Sequence, residues 1–409
     1  MTASTLLLVL GILALLGVVN ALRPLRNIAL ALPSWVAAWV TVELAPFLVV
    51  FDLVAAAVLV ALGGLEHPRG LVGLGGVLVA VGVAMPRIVA ARRSAEDLEE
   101  AVAELDPGEP AAPYPRHEIA LPFLARRRAG VRCVRGIKYT RSQKLDVYMP
   151  DAPAEEPRPA IVQIHGGAWV IGSRHEQGVP LLSHLAANGW VGFNIDYRLS
   201  PWATWPAQIV DVKRAIAWVR EHAEEWDVDP SFVAITGGSA GGHLSALAAL
   251  TAGDPDFQPG FEDADTSVAA AVPFYGVYDL LDDEGIHLKA VHQVLERLVF
   301  KTRRRDEPER FRAASPVHRV HAAAPPTFVI AGEKDTLIGI DEARRFVERL
   351  RATSQAPVLY AELKGAQHAF DLVASWRSVP VIESVERFLT TVRGRHADPS
   401  PRQLAALGE

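Results

Sequence analysis

The chain has 409 residues, with 47 Asp and Glu against 41 Lys and Arg, a formal net charge of −6 and one cysteine. That balance excludes a strongly basic nucleic-acid binder, and a single cysteine excludes an intrachain disulfide. The mean hydropathy of +0.17 is high for a soluble protein, and the apolar excess is concentrated at the N-terminus.

Thr5–Leu22 is an uncharged run of the length that spans a bilayer, and Arg23 and Arg26 follow it. A cleaved signal peptide is the rival reading, but no Lys or Arg precedes the run and further apolar segments follow. Residues 27–42 carry Trp35 and Trp39 and suit a membrane interface. Residues 44–65 are apolar apart from Asp52, which is either functional or close enough to a span end to reach the headgroups. In the run Leu71–Ala90, Gly73, Gly75, Gly76 and Gly82 permit close helix–helix approach. Arg23 and Arg26 mark one cytoplasmic edge, and Arg87, Arg92 and Arg93 mark another. Spans at about 4–22, 44–65 and 70–88, with 27–42 at the interface, keep both edges inside. Residues 1–93 therefore read as a multi-pass transmembrane region, with the C-terminal domain cytoplasmic.

Residues 94–130, with Pro107, Pro110, Pro113 and Pro115, read as a linker. Its Arg126-Arg127-Arg128 run is either a solvated loop or a contact for anionic headgroups. In residues 131–393, short apolar runs alternate with helical patterns. Strands are expected at Val134–Tyr139, Leu145–Met149, Ala160–Ile164, Val191–Ile195, Phe232–Ile235, Val268–Phe274, Thr327–Ala331 and Val358–Leu363. Helices are expected at Ala207–Ala223, Gly242–Ala252, Asp341–Ala352 and Val379–Val392. The alternation predicts an α/β fold with a mostly parallel sheet and functional groups at the carboxyl ends of its strands. Cys133 reads as a small buried apolar residue. An insertion at about 281–324 has Leu288, Val291, Val294, Leu295 and Leu298 at helical spacing, then Lys301, Arg303, Arg304 and Arg305. It is expected to be a lid over the site, a basic face toward the membrane or a plain surface helix. Residues 394–409 read as a flexible tail.

Gly237-Gly238-Ser239-Ala240-Gly241 lies between a strand pattern and a helical one. A serine on such a turn is presented above a sheet edge as a nucleophile, although a Gly/Ser turn also caps helices. His165-Gly166-Gly167 follows the Ala160–Ile164 run, where the N–H groups of Gly166 and Gly167, with that of Ala240, can face a developing oxyanion. His165 itself suits a loop-shaping role better than that of a base. Asp335 follows the Thr327–Ala331 run as the candidate acid, with Glu333 and Asp341 as rivals, and His368 follows Val358–Leu363 as the candidate base. No histidine cluster has zinc-ligand spacing; His287 and His292 read as surface, and the chemistry calls for neither metal nor cofactor.

His165-Gly166-Gly167-Ala168, Asp196-Tyr197-Arg198-Leu199, Gly237 to His243, Asp335-Thr336-Leu337 and Gly365-x-x-His368-x-Phe370 together resemble the α/β-hydrolase fold. Within it they are similar to hormone-sensitive-lipase-like and BD-FAE-like carboxylesterases. The resemblance implies Ser239 as nucleophile, Asp335 as acid and His368 as base, with oxyanion donors from Gly166, Gly167 and Ala240. It departs from the family's fuller His-Gly-Gly-Gly pattern at Ala168; His-Gly-Gly-Ala-Trp is similar to the branch of isoprenylcysteine methylesterases and kynurenine formamidases. The implied activity is that of a membrane-anchored serine carboxylesterase or lipase acting on small-molecule or lipid-like esters. An amidohydrolase or peptidase, a prenylcysteine methylesterase and a noncatalytic binding module are the alternatives.

Overall fold

The structure, a computed structural model, describes residues 1–25, 30–105, 112–120 and 128–397. Arg26, Pro107, Pro110, Arg126, Arg127 and residues 398–409 of the expected tail lie outside the described residues.

Four helices come first: α1 (Ala3–Leu22), α2 (Ala31–Glu43), α3 (Ala45–Ala61) and α4 (Pro68–Ala103). By length and composition α1 and α4 are each able to cross a membrane. The segment expected at 44–65 is a shorter helix of 17 residues that meets α2 at 83°. Gly63, with φ of +86°, turns the chain just after it. The glycines of α4 divide into two sets. A Cβ on Gly73 would stand 2.3 Å from the carbonyl oxygen of Leu7, and one on Gly76 would stand 3.1 Å from that of Gly11, so these two set the close crossing of α1 and α4. Gly75 and Gly82 face open space, contrary to the expectation, because they lie on other sides of the helix.

The linker expected from residue 94 begins instead as ten more residues of α4. Leu98, Ala101 and Val102 are buried there, and with Leu105, Tyr114 and Ile119 they belong to the core on one side of the sheet. Packing against the catalytic body thus keeps this polar-sided stretch helical. Arg387 pairs with Glu99 at 2.5 Å and Arg351 with Glu104 at 3.3 Å along the same seam.

The sheet contains β1 (Val131–Lys138), β2 (Lys144–Pro150), β3 (Arg158–Ile164), β4 (Val191–Ile195), β5 (Val228–Gly238), β6 (Ala270–Phe274), β7 (Thr327–Gly332) and β8 (Val358–Leu363). Their order is β1-β2-β4-β3-β5-β6-β7-β8; β2 is antiparallel to both β1 and β4, and the remaining pairs are parallel. This is the α/β-hydrolase arrangement. The central strands β3, β4, β6 and β7 are buried along their whole length, as strands covered on both faces must be. Cys133 on the terminal strand β1 is half-buried rather than buried, because an edge strand has one less neighbour.

Flanking helices are α5 (Val179–Ala187), α6 (Ala207–Glu221), α7 (Ala240–Leu250), α8 (Lys289–Val294), α9 (Pro308–Ala313), α10 (Ile340–Thr353) and α11 (Ser378–Ala397). The start of the expected tail is helical to Ala397, where Arg395 donates to the Leu105 carbonyl at 2.5 Å and His396 edges the Phe232 ring. The insertion between β6 and β7 is not a detached cap. Its long expected helix is only α8 plus a π-turn over Leu295–Val299, and Leu295, Val299, Phe300 and Phe311 are core residues. Register aligns Ile164 with Gly237, Gly238 with Phe274 and Gly332 with Leu363, so the loops after β3, β5, β6, β7 and β8 emerge at one edge.

Candidate active site

Ser239 sits at the junction of β5 and α7 with φ of 59° and ψ of −118°. A side-chain-bearing residue adopts this region only at a cost of about 1–3 kcal/mol, met by the surrounding packing. The Ser239 N–H donates to the Phe274 carbonyl at 3.0 Å, and its own carbonyl accepts the first helical bond from His243 at 2.9 Å. A Cβ on Gly241 would come within 2.1 Å of the Ile164 carbonyl oxygen and one on Gly237 within 2.6 Å, so both positions require glycine.

The candidate acid and base meet. His368 Nδ1 donates to Asp335 Oδ2 at 2.6 Å, and both side chains are buried. The other carboxylate oxygen of Asp335 accepts from the Leu337 and Ile338 N–H groups at 2.9 and 2.8 Å, which locks its orientation. This tautomer leaves His368 Nε2 without a hydrogen bond among the described residues. The rivals are engaged elsewhere: Glu333 accepts from Gly365 N–H and Lys334, and Asp341 pairs with Arg344 on the surface. Gln367 Oε1 ties the two loops by accepting from Thr336 N–H and His368 N–H, each at 2.9 Å.

Tyr275, after β6, touches both the serine turn and the His368 ring. Its ring centroid is 4.7 Å from that of His368, and a Cβ on Gly238 would stand 2.5 Å from its hydroxyl. That hydroxyl donates to Asp371. Burial drives the Asp371 carboxyl above the usual carboxylate range and the Tyr275 phenol well above its own. Tyr275 and Asp371 carried no motif signal.

The oxyanion loop differs from the sequence reading in one donor. Gly166 N–H donates to Gln177 Oε1 at 2.7 Å, so it is not free to face a substrate. The N–H groups of Gly167 and Ala168 find no acceptor among the described residues. Gly167, Ala168 and Trp169 all have positive φ, of 113°, 54° and 62°, which curls the loop toward the serine: a Cβ on Gly166 would approach Ser239 Cβ to 3.1 Å. His165 is buried, stacked on Tyr197 at 4.3 Å, with Nδ1 donating to the Gly166 carbonyl at 2.7 Å. Burial lowers its pKa. His243 is held neutral by burial, its pKa lowered to about 4; it accepts from Trp169 Nε1 at 3.2 Å and donates to the Ala314 carbonyl at 2.8 Å.

Three further residues touch the base loop from α2. Trp35 Nε1 donates to the His368 carbonyl at 3.3 Å, Trp39 Nε1 to the Ala369 carbonyl at 2.9 Å, and Glu43 Oε1 accepts from Gln367 N–H at 3.0 Å. The two tryptophans read as interfacial anchors in the sequence, and nothing local pointed to residues more than three hundred positions away.

His287 is a correction as well. Its side chain is 2% exposed and lies 3.1 Å from Glu342 Oε2. Burial acts to lower its pKa, but Glu342, Asp282 and Asp279 together raise it. Asp282, His287 and His292 converge, as do Asp279, Asp283 and His318, at spacings no local motif announces. Arginines already thread both groups. Arg304 donates to His292 Nδ1 at 3.1 Å and stands 3.6 Å from Asp282, while Arg345 stands 3.6 Å from Asp279. The chain thus supplies much of the positive charge that these acids attract.

Residues 145–350 match the BD-FAE family. Two proteins of Mycobacterium tuberculosis are similar over about two thirds of this chain. The probable carboxylic ester hydrolase LipM is 49% identical over 66% of this chain and 63% of its own length, and the esterase LipQ is 48% identical over 65% and 63%. The match therefore spans less than two thirds of either relative. Among solved structures, a truncated carbohydrate esterase from gut microbiota superimposes with a TM-score of 0.55 at 25% identity, covering 64% of this chain and 96% of its own. Thermogutta terrifontis esterase 2 phosphonylated by sarin does so with a TM-score of 0.54 at 26% identity, covering 66% and 96%.

Proposed function

The chain belongs to the BD-FAE family, and from that premise we propose that it is a serine carboxylic-ester hydrolase held at a membrane by its N-terminal helices. The observation that carries this reading is the buried 2.6 Å hydrogen bond from His368 to Asp335, at the sheet edge where Ser239 turns from β5 into α7. Ser239 Oγ attacks the ester carbonyl carbon as His368 Nε2 takes its proton. Asp335 holds the imidazole in the required tautomer and stabilises its cation. Gly167, Ala168 and Ala240 supply N–H groups to the oxyanion, with Gly166 shaping the loop through Gln177. The alcohol leaves with the proton from His368, and water repeats the sequence on the acyl-enzyme.

LipM and LipQ, described as ester hydrolases, support the reaction class, and phosphonylation of an esterase sharing this fold supports an organophosphate-reactive nucleophile. The apolar α1 and α4 support membrane insertion. Arg23, Arg87, Arg92 and Arg93 favour a cytoplasmic catalytic body, and the membrane location favours lipid-like esters. The test compares wild type with Ser239→Ala on acyl esters, amides and prenylcysteine methyl esters, with labelling by a fluorophosphonate probe. Ester hydrolysis and labelling that vanish together in Ser239→Ala are expected; a wild type left unlabelled and inert on every ester overturns the reading. A reporter fused to the C-terminus reads the topology.

A further inference from the structure

Trp35, Trp39 and Glu43 recur every four residues and form one stripe along α2. All three end on consecutive residues of one loop: His368, Ala369 and Gln367. Trp35 also sets its ring edge-on to the imidazole of His368, with centroids 6.3 Å apart. Ala369 has φ of 60°, a conformation that needs holding, and the Trp39 bond grips its carbonyl. Glu43 extends the grip: one oxygen takes Gln367 N–H, and the other takes Arg377 Nε at 3.0 Å. Flanking this stripe, α2 presents Leu32 and Val36, which are 58% and 45% exposed, an apolar surface suited to lipid.

We propose that helix α2 is a positioning element of the catalytic apparatus, holding the His368 loop so that turnover depends on how the N-terminal helices seat against the catalytic body. The proposal rests on the serine-hydrolase reading above. The tryptophans bond to backbone carbonyls and do not meet substrate; they act through the placement of His368. A general base displaced by about 1 Å loses on the order of 100-fold in rate, whereas a remote structural contact changes only the amount of folded protein.

The test uses the full-length chain in detergent and the variants Trp35→Phe, Trp39→Phe and their combination, each deleting an N–H while keeping an aromatic ring. Ser239 is titrated with a fluorophosphonate probe, and kcat per labelled site and KM are measured on p-nitrophenyl butyrate. The expected result for the double variant is full labelling at a slower rate, kcat per labelled site lowered about 10- to 100-fold, and KM within about twofold. Val36→Ser, at an exposed position that makes no hydrogen bond to the loop, is expected to match wild type. Unchanged kcat per labelled site in both single variants and the double variant overturns the proposal, whatever happens to yield or melting temperature. Wild type that neither labels nor hydrolyses overturns the hydrolase reading instead, so the two failures are distinct.

Discussion

Glu43 and Arg377, 334 positions apart, form an ion pair at 3.0 Å in which each side chain is 1% exposed. Arg377 also donates to Ser94 Oγ at 3.0 Å and to the Lys364 carbonyl at 2.9 Å. One guanidinium thus joins α2, α4 and the segment leading from the base loop into α11. The N-terminal helices are therefore docked through a polar core as well as through apolar contact.

Removing one member of such a pair leaves a buried charge uncompensated, at a cost of about 3–5 kcal/mol, whereas replacing both with apolar side chains costs far less. Glu43→Ala alone is expected to lower the melting temperature of the detergent-solubilised chain sharply, and Glu43→Leu with Arg377→Met to restore much of it. Equal melting of the single and double variants would show that the pair adds nothing.

Asp335→Asn keeps the shape of the acid but reverses its hydrogen-bonding role at His368 Nδ1. With the wrong tautomer favoured, kcat should fall about 10⁴-fold. Glu333→Ala and Asp341→Ala, whose carboxylates bond elsewhere, should stay within about threefold on the same ester. Comparable losses at all three positions would remove Asp335 from its assigned place.

The crossing of α1 and α4 separates two glycines two residues apart. Gly73→Leu forces a side chain against the Leu7 carbonyl, while Gly75→Leu enters open space. The first should destabilise the detergent-solubilised chain by more than about 2 kcal/mol and the second by less than about 0.5 kcal/mol. Limited proteolysis of the N-terminal region reads the difference.

His243 makes a pH-dependent contribution. Its folded-state pKa of about 4 lies below its ordinary 6.5 because the ring is buried. Between these values the unfolded chain binds a proton that the folded chain refuses, so stability falls as pH drops from about 6.5 toward 4. The shift corresponds to about 3 kcal/mol. His243→Gln, which offers an acceptor to Trp169 and a donor to Ala314, should flatten that part of the urea-midpoint profile; an unchanged slope would assign the effect to other groups.

Ser239, Asp335, His368 and the parallel sheet around them were legible in the sequence because each rests on local chemistry. An apolar run sets a strand, glycines permit a sharp turn, and a fixed chain order follows from the sheet's handed connections. The same locality misled at Gly166, where a glycine after a strand looks like a free donor until Gln177, eleven residues on, takes its N–H. Only the tertiary structure decided that Trp35, Trp39 and Glu43 bond to the His368 loop, that Tyr275 touches both the serine turn and the His368 ring, and that α4 stays helical to Ala103. Those contacts join segments far apart in the chain, and no periodicity or motif records which distant backbone a side chain will meet. Composition determined that the N-terminus is apolar; packing determined that it reaches the His368 loop.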